Sequence, residues 1–192
     1  MRIIGGSLKG RKLDPPARLW PTRPTTDFSR EGLFNILNNR IDFESLHALD
    51  LFGGSGSHSF ELISRGCEDV TYVDNFRGCI DFVKLKAAEW KVEKNIHIVS
   101  DDVLRYIIRG HQPFNYIFAG PPYPLKELGQ IPTMVFSNNL LSKDGVFILE
   151  HNFKYDFTRF KHFTELRKYG STLFSFFKWN EAASTDGDIQ ES

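Results

Sequence analysis

From residue 46 onward, short apolar runs alternate with longer amphipathic stretches. The runs at 48–52, 70–73, 96–99, 116–119 and 146–149 are bounded by polar or turn residues and predict strands. Between them, apolar residues recur at helical spacing near 57–65, 77–91, 102–109 and 127–141. Strand and helix alternating at this spacing predict an α/β fold with a mostly parallel, doubly wound sheet. The end of the pattern differs. Residues 163–169 and 171–177 flank Gly170 with no helix between them, which predicts an antiparallel hairpin at the sheet edge. Phe174, Phe176, Phe177 and Trp179 in this stretch are expected to pack the sheet rather than to stack on bases. The beginning differs too. The first 25 residues, rich in Gly, Pro and Arg, read as a hairpin and loop. Residues 27–37 then read as a helix, with Asp27 as its cap and Phe28, Leu33, Phe34 and Leu37 at helical spacing. The expected organisation is an N-terminal hairpin and helix extension (1–40) packed on an α/β domain (41–180), followed by a disordered acidic tail (181–192).

Composition narrows the class. A chain of 192 residues, 41% hydrophobic and 25% charged, fits one domain with a sizeable core. No apolar run approaches the roughly 20 residues of a membrane helix. Met1-Arg2-Ile3-Ile4-Gly5-Gly6 lacks the apolar centre of a signal peptide, so a cytoplasmic location is expected. Cys67 and Cys79 cannot form a disulfide framework, and no Cys/His cluster has zinc spacing. No metal is therefore expected, and both cysteines read as small buried residues. The 24 bases and 24 acids cancel, but unevenly along the chain. Residues 1–40 hold eight bases and three acids, whereas 181–192 hold four acids and no base. A basic arm suits a polyanion partner, although a solvated surface would give the same count.

The chemistry starts where the first strand runs into Asp50-Leu51-Phe52-Gly53-Gly54-Ser55-Gly56 and then a helix. Glycines there let backbone approach a ligand at the carboxyl end of the strand. A nicotinamide-dinucleotide fingerprint would carry another glycine at position 59, where this chain has Ser59. Asp74 ends the second strand, where a carboxylate can accept both hydroxyls of a ribose. Asp101-Asp102 follows the third, where an acid can accept from an adenine amino group. Singly these are a tight turn and two helix caps. In this order and spacing they outline a pocket for an adenosine-containing ligand. His58, just inside the following helix, is expected to be exposed in its first turn.

The fourth strand ends in Ala119-Gly120-Pro121-Pro122-Tyr123. Two prolines lock φ and remove two amide donors, which holds the neighbouring carbonyls rigid. Tyr123 adds a flat face for a base. Such a turn can receive a planar exocyclic amine.

With these residues, the chain resembles the RsmD family of bacterial ribosomal RNA methyltransferases, from Met1 to about Phe177. The carriers are Arg2-Ile3-Ile4-Gly5-Gly6 with Gly10-Arg11, Arg23-Pro24-Thr25, Arg30-Glu31 with Leu33-Phe34-Asn35, and Glu150-His151 with Tyr169-Gly170-Ser171. The glycine loop and the Pro-Pro-Tyr turn complete the set. The resemblance implies a Rossmann-like class I fold that binds S-adenosylmethionine and methylates the N2 amine of one guanine in 16S rRNA. It implies cofactor contacts from Asp50, Phe52, Gly53, Gly54, Ser55, Gly56, Asp74, Asp101 and Asp102. The catalytic turn would be Gly120, Pro121, Pro122 and Tyr123, and Arg2, Arg11, Arg23 and Thr25 would contact RNA. The partner would be 16S rRNA in a partly or fully assembled small ribosomal subunit, met by a monomer with no membrane involved. Two departures stand out. The family usually has Ala at Gly53, and it has Asp or Asn at Gly120, the expected side-chain acceptor for the amine. The second departure keeps two alternatives open: a catalytically impaired cofactor- or RNA-binding homologue, and an adenine-N6 methyltransferase with a similar turn. A nicotinamide-dependent oxidoreductase is a more distant alternative.

Overall fold

A computed structural model describes residues 1–16 and 26–180 of the chain. Arg23, Thr25 and the acidic tail therefore lie outside the described residues. Five helices, α1 (Asp27–Leu37), α2 (Ser57–Ser64), α3 (Arg77–Trp90), α4 (Val103–Ile108) and α5 (Ile131–Ser137), surround one sheet. Its strands are β1 (His47–Leu51), β2 (Asp69–Asp74), β3 (Ile96–Ser100), β4 (Phe114–Ala119), β5 (Leu141–His151), β6 (Phe163–Tyr169) and β7 (Thr172–Phe177). The order across the sheet is β3-β2-β1-β4-β5-β7-β6. The first five strands in that order pair in parallel, and β7 joins both β5 and β6 antiparallel. The predicted terminal hairpin thus forms, with β7 inside the sheet and β6 at its edge. This is the Rossmann-like class I architecture.

Both faces of the sheet are covered. Ala48 on β1 belongs to the apolar cluster that includes Leu33, Phe34 and Phe60, while Leu49 and Leu51 belong to the opposite cluster with Val103, Ile107 and Ile131. Strands buried on both faces read as apolar runs, which is why the central ones were recognisable from pattern alone. Phe174, Phe176 and Phe177 are buried, as sheet packing requires.

Local chemistry moves some boundaries. Thr26, not Asp27, caps α1: its Oγ1 accepts from the Ser29 amide at 3.1 Å, and Asp27 pairs instead with Arg30 at 2.9 Å. Phe28 shares the helical spacing but is 67% exposed, so it is not on the buried face. The expected helix near 127–141 shrinks to α5, which Pro132 opens and Asn139, in the left-handed region, follows. β5 begins earlier than its apolar run because its first residues, including Lys143 and Asp144, face solvent.

The N-terminal hairpin is closed by one antiparallel bridge, Arg2 to Lys12, and Ile3, Leu8 and Leu13 are buried in the main core. Its anchor is Glu61 on α2. That fully buried carboxylate accepts from the Ile4 and Gly5 amides, both at 2.9 Å, and pairs with Arg65 at 2.7 Å. Gly6 has φ +73°, and a Cβ on it would lie 1.7 Å from the Ser64 carbonyl oxygen. The glycines of the N-terminal motif therefore serve close backbone packing on α2.

Candidate active site

Strand order reverses between β1 and β4, and in open α/β sheets ligands bind at the carboxyl ends of strands flanking such a point. The glycine loop follows β1 and the Pro-Pro-Tyr turn follows β4. The Gly120 amide donates to the Leu51 carbonyl at 3.1 Å, so the two loops leave the sheet side by side.

The glycine loop is tightly determined. Phe52, Gly54 and Gly56 all have positive φ, at 59°, 52° and 72°. For Phe52 this conformation costs on the order of 1–3 kcal/mol and persists only because its surroundings impose it. The Gly53 amide donates to Val73 at 3.2 Å, the Gly56 amide to Gly53 at 2.8 Å, and the Tyr72 hydroxyl to the Gly54 carbonyl at 2.7 Å. A Cβ at Gly53 would lie 2.2 Å from the Tyr72 ring. The ring occupies the space that the family's usual alanine methyl would need.

Asp50 is buried beneath this loop. Its Oδ2 accepts from the Ser59 amide at 3.1 Å and the Ser59 hydroxyl at 2.5 Å, while Oδ1 has no partner among the described residues. Burial pushes the carboxyl pKa up to about 7, partly offset by the two Ser59 bonds. Ser59, which breaks the dinucleotide pattern, is thus the residue that holds Asp50. Asp74 sits at the end of β2. One of its oxygens accepts from the Gly54 amide at 2.9 Å and the other from the Phe76 amide at 2.8 Å, so it braces the loop. Ser55 Oγ lies 3.8 Å from the Met1 sulfur, which brings the N-terminal hairpin against the same loop.

The two acids after β3 are differently engaged. Asp102 caps α4, accepting from the Arg105 amide at 2.9 Å. Asp101 pairs with Arg109 at 2.6 Å. Arg2 and Arg11 are exposed on the hairpin, Arg11 with its guanidinium 5.7 Å from the centre of the Trp90 ring.

At the β4 turn, Pro121 is buried, Pro122 and Tyr123 are half-buried, and the Pro122 carbonyl accepts from the Leu125 amide at 2.9 Å. The Tyr123 hydroxyl donates to Glu150 Oε1 at 3.2 Å. Phe118 lies below Gly120 and stacks on His58 with ring centres 3.8 Å apart. His58 is only 5% exposed, not exposed as expected, and it is hydrogen-bonded to the Tyr116 hydroxyl at 2.9 Å. The expectation failed because this ring faces inward, packed between Tyr116 and Phe118 of β4 and Phe34 of α1. Burial and nearby Arg30 hold His58 well below the ordinary histidine range, leaving a neutral aromatic floor. Pattern reasoning did not single out Glu61, Tyr72 or Ser59 as partners. Glu150 was visible only as part of a motif. Cys67 and Cys79 are buried, and burial pushes their thiols up to about 11 and about 12, which makes them inert.

Comparison with known proteins gives a consistent result. Residues 1–178 match the family described as Conserved hypothetical protein 95. A Bacillus subtilis (strain 168) protein, provisionally named the rRNA methyltransferase YlbH, is 34% identical over 155 residues, covering 79% of this chain and 83% of the relative. Ribosomal RNA small subunit methyltransferase D of Escherichia coli (strain K12) is 31% identical over 150 residues, covering 78% of this chain and 74% of that protein. The solved structure of YhhF from Escherichia coli, a methyltransferase by provisional title, superposes with a TM-score of 0.79 at 26% identity, covering 92% of this chain and 96% of that one.

Proposed function

This chain belongs to the RsmD family of S-adenosylmethionine-dependent ribosomal RNA methyltransferases, and from that premise we propose that it methylates the exocyclic N2 amine of one guanine in 16S rRNA. The observation that carries this reading is the meeting of the glycine loop and the Pro-Pro-Tyr turn at the strand-order reversal, joined by the bond from the Gly120 amide to Leu51. The residues present fit the cofactor. Among the described residues Asp50 Oδ1 is a buried acceptor with no partner, the loop beside it is held in left-handed backbone, and Asp74 at the end of β2 braces that loop. Asp50, Phe52, Gly53, Gly54, Ser55 and Gly56 would hold S-adenosylmethionine, with Asp74 at its ribose and Asp101 and Asp102 on the adenine side. When bound, the cofactor supplies an electrophilic methyl group on a cationic sulfur.

The protein's own work is placement. The guanine amine is a weak nucleophile because its lone pair is shared with the ring, so alignment contributes most of the acceleration. The base must leave its stack to enter the turn. Tyr123 stacks on it, Pro121 and Pro122 keep the turn rigid, and Phe118 with neutral His58 keeps water from below. Arg2 and Arg11 on the hairpin attract RNA phosphates beside the loop; Arg23 and Thr25, outside the described residues, would add a charge and a hydroxyl donor for the RNA. The substrate is the partly or fully assembled small ribosomal subunit, and the chain acts on it as a cytoplasmic monomer.

Gly120 favours one competing reading, a homologue that binds cofactor or RNA without turnover. Transfer of labelled methyl from S-adenosylmethionine to unmodified small subunits decides between them. N2-methylguanine in the digested RNA is the expected product. Cofactor binding with no methylated base would establish the competing reading, and N6-methyladenine would replace the substrate.

A further inference from the structure

Gly120 lacks a side chain, but a carboxylate stands beside it. Ala119 at the end of β4 is in register with Leu149 of β5, so residues 120 and 150 are neighbours at the carboxyl ends of adjacent parallel strands. A Cβ built on Gly120 would lie 4.0 Å from Glu150 Oε2. Glu150 is 7% exposed, and its other oxygen accepts from the Tyr123 hydroxyl at 3.2 Å. One buried carboxylate therefore reaches the space into which the family's residue-120 side chain would project, and it is tied to the ring that receives the base.

We propose that Glu150 is a catalytic residue of this chain: its Oε2 accepts from the target guanine amine in place of the absent residue-120 side chain, while its Oε1 fixes Tyr123. The assignment rests on the guanine-N2 reading above. The amine nitrogen uses its electron pair to form the bond to the methyl carbon, and the pair of the broken carbon–sulfur bond stays on sulfur. The nitrogen then loses one proton to Glu150 Oε2, and Glu150 passes it to water. The neighbouring strand thus supplies an acceptor that β4 does not.

The test moves the carboxylate. Glu150→Gln is expected to lower kcat for methylation of small subunits by roughly 10²–10⁴-fold, with KM for the subunit little changed. The double variant Glu150→Gln/Gly120→Asp is expected to regain at least about tenfold of that loss, within the range a relocated general base supplies. S-adenosylmethionine binding, measured by calorimetry, should match wild type in both. Tyr123→Phe, which removes only the hydroxyl, should lose less than Glu150→Gln. If Glu150→Gln fails to fold, Glu150→Asp is the replacement: its carboxylate is withdrawn from residue 120, and kcat should fall with binding intact. Wild-type turnover by Glu150→Gln or by its replacement would overturn the assignment. So would a double variant no better than Glu150→Gln, or a Tyr123→Phe loss equal to that of Glu150→Gln. Absence of N2-methylguanine from the wild-type reaction would overturn the guanine reading and this assignment together.

Discussion

The loops after β1 and β4 each depart from the family's usual residue at one position, and the departures differ physically. At Gly53 the space a methyl would need is already filled. Tyr72, directly opposite Asp50 on the neighbouring strand, fills the space and bonds the loop through its hydroxyl. At Gly120 the neighbours stand farther off: among the described residues, the Phe118 ring edge lies 3.3 Å and a Glu150 oxygen 4.0 Å from the Cβ position. The first loop is a closed steric fit that fixes backbone for a cofactor. The second is a looser corner beside a buried carboxylate. A missing side chain therefore has no fixed meaning: what the adjacent parallel strand offers decides whether the gap is packing or chemistry.

Substitutions at the two glycines should separate these cases. Gly53→Ala forces a methyl into the Tyr72 ring and should cost about 1–3 kcal/mol of unfolding free energy by denaturant titration. Tyr72→Leu in the same chain should return part of that cost, and strict additivity of the two changes would break the steric account. Next, Ser59→Ala removes the hydroxyl bond to the buried Asp50 carboxylate, leaving the backbone amide bond in place, and should cost about 1 kcal/mol while raising the Asp50 pKa further.

A pH effect of similar size follows from Asp50. Its carboxyl, raised to about 7 by burial, holds its proton in the free protein up to that pH. A ligand that donates to Asp50 requires the ionised form, so binding below pH 7 must expel a proton. Affinity for S-adenosylmethionine should therefore be flat above about pH 7 and fall by up to about tenfold per unit below it. Calorimetry across pH 5.5–8.5, roughly one unit and more to either side, would show this, and Asp50→Asn should abolish the dependence. The smallest effect belongs to the looser corner. Among the described residues Gly120→Ala brings a methyl 3.3 Å from the Phe118 ring edge, which a small ring shift relieves, and its φ is outside the left-handed region, so unfolding free energy should change by less than about 1 kcal/mol. A loss as large as that of Gly53→Ala would erase the distinction between the loops.

Much of the fold was legible because the central strands are buried on both sides and separated by helices of ordinary length. The misread boundaries have local causes. Lys143 and Asp144 hid the start of β5, Pro132 and Asn139 shortened α5, and Thr26 displaced Asp27 as cap. The site was legible as motifs but not as contacts. Asp50, the glycines and Asp74 fall around one loop, whereas Asp101 and Asp102 are engaged by Arg109 and the α4 amide. His58 was misread because local spacing cannot show that β4 and α1, distant in sequence, close over a first-turn ring. Glu61, 56 or more residues from the amides it clamps, left no local signal at all. Glu150 and Gly120 meet only through strand register, which is a tertiary fact.

The most direct measurement is nucleoside mass spectrometry of 16S rRNA from unmodified small subunits treated with S-adenosylmethionine and either the wild-type chain or the Glu150→Gln/Gly120→Asp variant. Both should yield N2-methylguanine at one and the same nucleotide, because the carboxylate has moved by one strand while the pocket has not. A wild-type chain that leaves the RNA unmodified, or that marks adenine, would contradict the account.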